Sequence, residues 1–180
     1  WLFWMRQTQL KNVILGGTLT AFVFTLIGFN WVTYTLHEFA HLPWFFAVIG
    51  MLVYGVVGHM YVAAAGLLWF WGRKTFQWSE RLSLWLMAFI TVICEANSWT
   101  VFDWNFGYPW YGANIPVFHW AEIVGFSGLS AATLLCNLPL YLAWPQRQQR
   151  SGQLIVAAVL AGFVVLNLGA LRLKGRLRPP

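Results

Sequence analysis

An all-α bundle of membrane-crossing helices is the fold class that this sequence predicts, and three observations predict it. Of its 180 residues, 59% are hydrophobic and 9% are charged, where soluble domains carry roughly 25% charged residues. Five stretches with little or no charge come close to, or exceed, the roughly 20 apolar residues that cross a bilayer. The basic residues fall in short clusters between those stretches, as topology signals do.

The spans follow in order. The first is expected from about Val13 to Leu36. The second, from about Pro43 to Gly72, is long enough to tilt or to extend past the membrane. The third covers about Leu82 to Phe102 and contains Glu95. The fourth covers about Ile123 to Trp144, and the fifth about Gln153 to Leu171. All should be helical, because lipid offers no partner for exposed backbone groups. Arg6 and Lys11 precede the first span; Arg73, Lys74 and Arg81 separate the second and third; Arg147 and Arg150 separate the fourth and fifth. The loops 37–42 and 103–118 carry no Lys or Arg. By the positive-inside rule the basic loops are cytoplasmic and the other two face outward. The tail breaks the pattern. Five crossings put it outside, yet it carries Arg172, Lys174, Arg176 and Arg178. A large exported domain beyond it would override its charge. Chain position 1 is Trp, and the end at Pro179 and Pro180 reads as the start of a linker, so both ends suggest a piece of something longer.

The formal charge of +6 does not imply nucleic acid, because its basic residues are spread through the short loops between spans. Cys94 and Cys136 lie inside apolar spans without metal-type spacing and read as packing residues. No cofactor is expected.

Four features carry possible chemistry. His37, Glu38 and His41 form an HExxH pattern. On a helix its two histidines share a face and can hold zinc, with the glutamate as general base. Such a site needs a third ligand, and the one aspartate of the chain is Asp103, in a loop. Pro43 and Trp44 follow at once, which places the motif at a helix end. Glu95 is an ionisable group in an apolar span, a functional candidate; otherwise it lies near the outer interface and fixes packing. His59, inside the second span, reads as a polar contact between helices. Finally, Trp99, Trp104, Tyr108, Trp110, Tyr111 and Trp120 crowd the outer ends of the third and fourth spans, with Pro109 and Pro116 stiffening the loop. They make either an aromatic belt or an outer-leaflet lipid site. Gly125, Gly128, Ser127, Ser130, Ala131 and Ala132 open the fourth span as small residues suited to close helix approach.

Several segments, in order, resemble the membrane part of the bacterial apolipoprotein N-acyltransferase family. Asn30-Trp31-Val32, His37-Glu38-Phe39 and Leu42-Pro43 are similar to one family passage, in which position 41 is usually glycine. Glu95 falls on the acidic residue that ends the family's fifth helix, although the Arg that commonly follows is here Ala96. Gly107-Tyr108-Pro109-Trp110 is similar to its GFPW loop, and Asn114 falls near a polar residue beyond it. Ala121, Glu122, Gly125, Gly128, Ser130 and Asn137 match a further spaced pattern, with Glu for Asp.

The resemblance implies eight membrane helices and a periplasmic nitrilase-like domain, with this chain supplying helices three to seven. The Glu-Lys-Cys triad of that domain is absent from this chain, which therefore holds no catalytic residue. The implied reaction moves an acyl chain from phospholipid, through a thioester, to the N-terminal diacylglyceryl-cysteine of a lipoprotein in the bacterial inner membrane. The implied lipid groove is formed by Trp104, Gly107, Tyr108, Pro109, Trp110 and Asn114, with Glu95 and His37 as polar supports. Two rivals stand beside it: an intramembrane zinc protease using His37, Glu38 and His41, and a non-enzymatic membrane scaffold.

Overall fold

The computed structural model describes residues 2–99, 102 and 104–177. Thr100 and Val101 at the expected end of the third span, Asp103, and Arg178 in the tail lie outside the described residues. The chain divides into two compact units, Trp1–Asp103 and Trp104–Pro180. Every regular element among the described residues is helical.

The first unit contains α1 (Leu2–Met5), α2 (Leu10–Gly28), α3 (Trp31–Glu38), α4 (Trp44–Val57), α5 (Tyr61–Phe76) and α6 (Glu80–Asn97). Its core is Trp4, Val13, Trp69 and Met87, all at or near zero exposure. The helix pair α2 and α5 meets at small residues. A Cβ on Gly17 would lie 2.9 Å from the Ala63 Cα, so the backbones approach as only small residues allow. The Trp69 indole N–H donates to the Ser83 carbonyl at 2.8 Å and ties α5 to the first turn of α6. Helix α6 starts where the Ser79 hydroxyl accepts from the Leu82 N–H at 3.3 Å, an N-cap with Glu80 in the first turn, where negative charge suits the helix dipole.

The first expected span is two helices. It breaks at Phe29 and Asn30, where the Asn30 side chain donates to the Ile27 carbonyl at 3.3 Å, a local bond that competes with the helix ladder. The second span also divides, at residues 58–60. There the Tyr54 ring lies across Gly58, 2.5 Å from where a Cβ would stand, and the buried His59 side chain turns to α2. Together α4 and α5 form an apolar stretch of 33 residues. The third span ends at Asn97 rather than Phe102, because the Ser98 backbone is extended and its hydroxyl donates back to the Glu95 carbonyl at 3.0 Å.

The second unit contains α7 (Tyr108–Gly112), a 3₁₀ turn at Pro116–Trp120, α8 (Ala121–Ala143), a second 3₁₀ turn at Trp144–Gln146, and α9 (Arg150–Leu177). The helix over the expected fifth span is longer: α9 runs from Arg150 through Leu177 and takes in the basic stretch from Arg172. Inside α8, Gly125 has φ 69° and ψ 173°, a region open essentially to glycine alone. A Cβ there would meet nothing within 4 Å. Its use is backbone freedom at a break, not the close helix approach expected of it.

Among the described residues, four stretches are long and apolar enough to cross a membrane: Leu10–Gly28, Trp44–Phe76, Pro116–Gln146 and Arg150–Leu173. Helix α6 has three charged residues, Glu80, Arg81 and Glu95, in its 18, and does not reach that standard.

Candidate functional site

In the first unit, α2, the turn at 58–60 and α5 surround a buried polar pair. Thr25 and His59 are 0% and 1% exposed. The Thr25 hydroxyl donates its one proton to the Ala21 carbonyl at 2.7 Å. His59 Nδ1 lies 2.8 Å from the Thr25 hydroxyl oxygen; with the hydroxyl proton given to Ala21, Nδ1–H is the donor of that bond. Aromatic rings enclose the imidazole: Phe24 and Phe29 stand 5.2 and 5.0 Å from it, and Tyr61 5.8 Å. Tyr54, 7% exposed, packs edge-on to Phe29 and Phe102, and its hydroxyl has no hydrogen-bond partner among the described residues. Glu95 on α6 is buried too, 7% exposed.

Beside this cluster runs a groove of about 700 Å³. Ile14, Val57, Ala63 and Leu67 form apolar wall, while Tyr61 and the end of α6 at Asn97 bring polar atoms to it. Cys94 and Trp99 also line it. The Asn97 and Ser98 side chains bond back to the α6 carbonyls of Ile93 and Glu95.

A second, smaller hollow of about 340 Å³ is lined by His37, Glu38, His41, Leu42 and Pro43. Here the zinc-type pattern loses its geometry. Helix α3 ends at Glu38, and His41 has φ 52°, so the two histidines do not occupy one helix face. The His37 ring is stacked on Trp44 at 4.1 Å between centroids, and its Nδ1 donates to the Leu42 carbonyl at 2.8 Å. Its Nε2 lies 3.9 Å from a Glu38 carboxylate oxygen. Among the described residues no group of three His, Cys, Asp or Glu is arranged to hold a metal.

The aromatic loop belongs to the second unit, together with Trp104, Gly107, Tyr108, Pro109, Trp110 and Asn114; Glu95 and His37 belong to the first. The loop is seated on α8 by close approach. A Cβ on Gly107 would lie 2.7 Å from both the Leu129 Cβ and the Phe126 carbonyl oxygen. The Gly107 N–H donates to the Ser130 hydroxyl and to the Asn105 side-chain oxygen, each at 3.0 Å. The Tyr108 ring stacks on Phe126 at 4.6 Å, nearly parallel. The Trp110 indole N–H donates to the Thr133 hydroxyl at 2.6 Å, and its ring leans on Phe163 of α9 at 5.1 Å. Trp104 packs edge-on to Phe106. Pro109 and Asn114 are exposed, and Asn114 takes the left-handed conformation at φ 52°. Farther along, the Asn167 side-chain oxygen of α9 accepts from the Val117 N–H at 3.0 Å. The Trp120 indole donates to the Leu166 carbonyl at 2.9 Å.

Sequence reasoning missed Thr25, Thr133 and Asn167 as anchors and the α5–α6 groove altogether. The hydroxyls carry no signal in an apolar span, where most bond to their own helix. Asn167 had one: an amide inside a strongly apolar helix needs a partner.

Helices of this length and apolarity, with polar groups gathered in buried clusters, define a helical membrane protein. The family model of the apolipoprotein N-acyltransferase N-terminal domain matches residues 1–139, and the chain belongs to that family. A curated relative, the apolipoprotein N-acyltransferase of Bdellovibrio bacteriovorus, is 34% identical over 145 residues. The match takes in 80% of this chain and 26% of the relative, so the chain spans about a quarter of that protein's length. No solved structure matches.

Proposed function

We propose that this chain is the membrane part of an enzyme that moves an acyl chain from phospholipid to the N-terminal diacylglyceryl-cysteine of lipoproteins. In this reading it supplies the anchor and an acyl-chain groove in the bacterial inner membrane, with loops 37–42 and 103–118 on the periplasmic side. The thiolate nucleophile and its carboxylate base belong to a domain outside this chain.

The observation that carries the reading is the groove between α5 and the end of α6. It lies along the α4–α5 stretch, which is long and apolar enough to cross a membrane, its walls are largely aliphatic, and it has polar groups at one end, the arrangement that an acyl chain with a headgroup calls for. Each buried CH₂ contributes about 0.8 kcal/mol, so a long apolar wall outweighs any one polar contact. The seated loop at Gly107 to Trp110 supports the reading in a second way: it fixes the rings of Tyr108 and Trp110 rather than leaving them mobile in the interface.

The test uses a phospholipid with a photoreactive diazirine near the end of one acyl chain. Cross-links should concentrate on groove residues such as Leu67 and Trp99. Labelling spread evenly over the exposed apolar faces of α2, α4 and α9 would defeat the groove assignment. In a full-length enzyme, Trp110→Ala should lower N-acylation, and residues 1–180 alone should bind lipid without turnover.

A further inference from the structure

We propose that one end of the first unit is a binding surface for the anionic headgroups of phospholipids in the adjoining leaflet. Its cations come from four places in the sequence. Arg6 follows α1, Lys11 lies in the first turn of α2, Arg73 and Lys74 lie in the last turn of α5, and Arg81 lies in the first turn of α6. The fold brings them to one end. An Arg73 Nη1–H donates to the Met5 carbonyl at 3.0 Å, which joins the end of α5 to the end of α1. Trp4 stacks on Trp69 at 6.4 Å, and the Trp69 bond to Ser83 joins α5 to the start of α6.

Two features make this more than a topology signal. The first is charge without compensation. Glu80 is the acidic residue at this end, and among the described residues the ion pairs formed are those of His37 with Glu38 and His119 with Glu122. None of the five cations has a carboxylate within 4 Å among the described residues. Arg6, Lys11, Lys74 and Arg81 are exposed, so their charge is available to a partner. The second is layering. Beneath the cations lies an aromatic floor: the Arg73 guanidinium sits 5.4 Å over the Trp69 ring, and Phe76 stacks on Trp78 at 6.0 Å, which covers Gly72. Trp71 and Phe76 point outward, 58% and 62% exposed. Rings at the interface with cations beyond them mirror a leaflet's own order of glycerol region and phosphate.

Arg73 differs from the other four. Its bond to Met5 and its place over Trp69 fix it, so it is the structural member of the set and the others are the exchangeable ones. The proposal is independent of any acyl-transfer chemistry.

The 180-residue chain is placed in phosphatidylcholine nanodiscs doped with spin-labelled phosphatidylglycerol or, as control, spin-labelled phosphatidylcholine. The protein-restricted fraction of each label is read by electron spin resonance. At low salt, phosphatidylglycerol should be favoured about fivefold per contacting cation, and the preference should fall toward parity in about 0.5 M salt. The variant carrying Arg6→Gln, Lys11→Gln, Lys74→Gln and Arg81→Gln should lose most of that preference at low salt with unchanged helicity, whereas Arg147→Gln with Arg150→Gln should lose less. If the fourfold variant fails to fold, Lys74→Gln with Arg81→Gln, both at exposed positions, is compared with the Arg147 and Arg150 pair in its place. Equal restriction of both lipids at low salt overturns the proposal, and so does an undiminished preference in the folded variant. An RNA oligonucleotide that displaces the labelled lipid at low salt would overturn it in favour of nucleic acid.

Discussion

Gly107→Ala tests how the aromatic loop is held. The new Cβ would stand 2.7 Å from the Leu129 Cβ and 2.7 Å from the Phe126 carbonyl oxygen. Neither atom can swing aside: one is backbone and the other is the first atom of a side chain. Ordinary contact begins at 3.4 Å, so the loop must lift by most of an ångström. The Gly107 N–H bond to Ser130, now 3.0 Å, would then pass beyond hydrogen-bonding range. Overpacking of this kind costs about 1–3 kcal/mol. Ser130→Ala alone should cost less, about 0.5–1 kcal/mol, because the Gly107 N–H keeps Asn105 as acceptor. The two changes should not add. Once the added methyl group has lifted the loop, the Ser130 hydroxyl has no bond to lose, so the double variant should fall short of the sum by about 0.5–1 kcal/mol. Unfolding in mixed micelles, titrated with SDS and followed by tryptophan fluorescence, gives all four corners of the cycle. Additivity within about 0.3 kcal/mol, or a neutral Gly107→Ala, would show that the loop does not sit on α8 as described.

Three further outcomes are expected. His41→Gly should stabilise the chain by about 1 kcal/mol, since a left-handed non-glycine residue carries that strain; a loss of stability would mean that the histidine side chain holds the turn. Thr25→Val, nearly the same shape, removes the acceptor of the His59 Nδ1–H bond and should cost about 0.6–1.7 kcal/mol, the range for such bonds in membranes; no change in the SDS midpoint would show that the pair contributes nothing. Gly125→Ala should cost about 1–3 kcal/mol from backbone strain alone, because a Cβ there meets no neighbour; a second-site small residue opposite it should give no rescue, and rescue would point to packing instead.

What the sequence could show follows from what each feature depends on. Apolar length is local, so the stretches over α2, α4–α5, α8 and α9 were legible without any fold. Their interruptions were not. The break at 58–60 is bound up with His59 reaching Thr25, 34 residues away, and no local pattern encodes that meeting. Helix α6 shows the opposite limit. Its charged residues make it a weak span by composition, yet Trp69 and Met87 bury one of its faces in the first unit. At the site, the order of motifs pointed to the family. The groove stayed hidden because its wall is ordinary Ile, Val, Ala and Leu, whose alignment exists only after α5 and α6 pack. The HExxH pattern shows the reverse: His37, Glu38 and His41 are the residue types of a metal site, and the backbone at His41 makes a turn instead.

The residues that link this chain to its family can be sorted by whether local geometry already explains them. Position 41 is left-handed, which accounts for a usual glycine there. Gly107 is a close approach and Gly125 a glycine-only backbone. Asn114 is left-handed as well, a conformation that asparagine tolerates through its short polar side chain. His37 closes its own turn through the Leu42 carbonyl. Tyr108 and Trp110 spend much of their surface on Phe126, Thr133 and Phe163. None of these needs a substrate to account for it. Glu95 is of another kind. It is 7% exposed on α6, and an ionisable group is costly to bury in an apolar span. It follows Cys94, which lines the groove. Glu95→Gln keeps the shape and removes the charge, so it separates packing from a role at the groove: photolabelling of the groove by the diazirine lipid should change if the carboxylate matters there, and unchanged labelling would leave Glu95 a packing group.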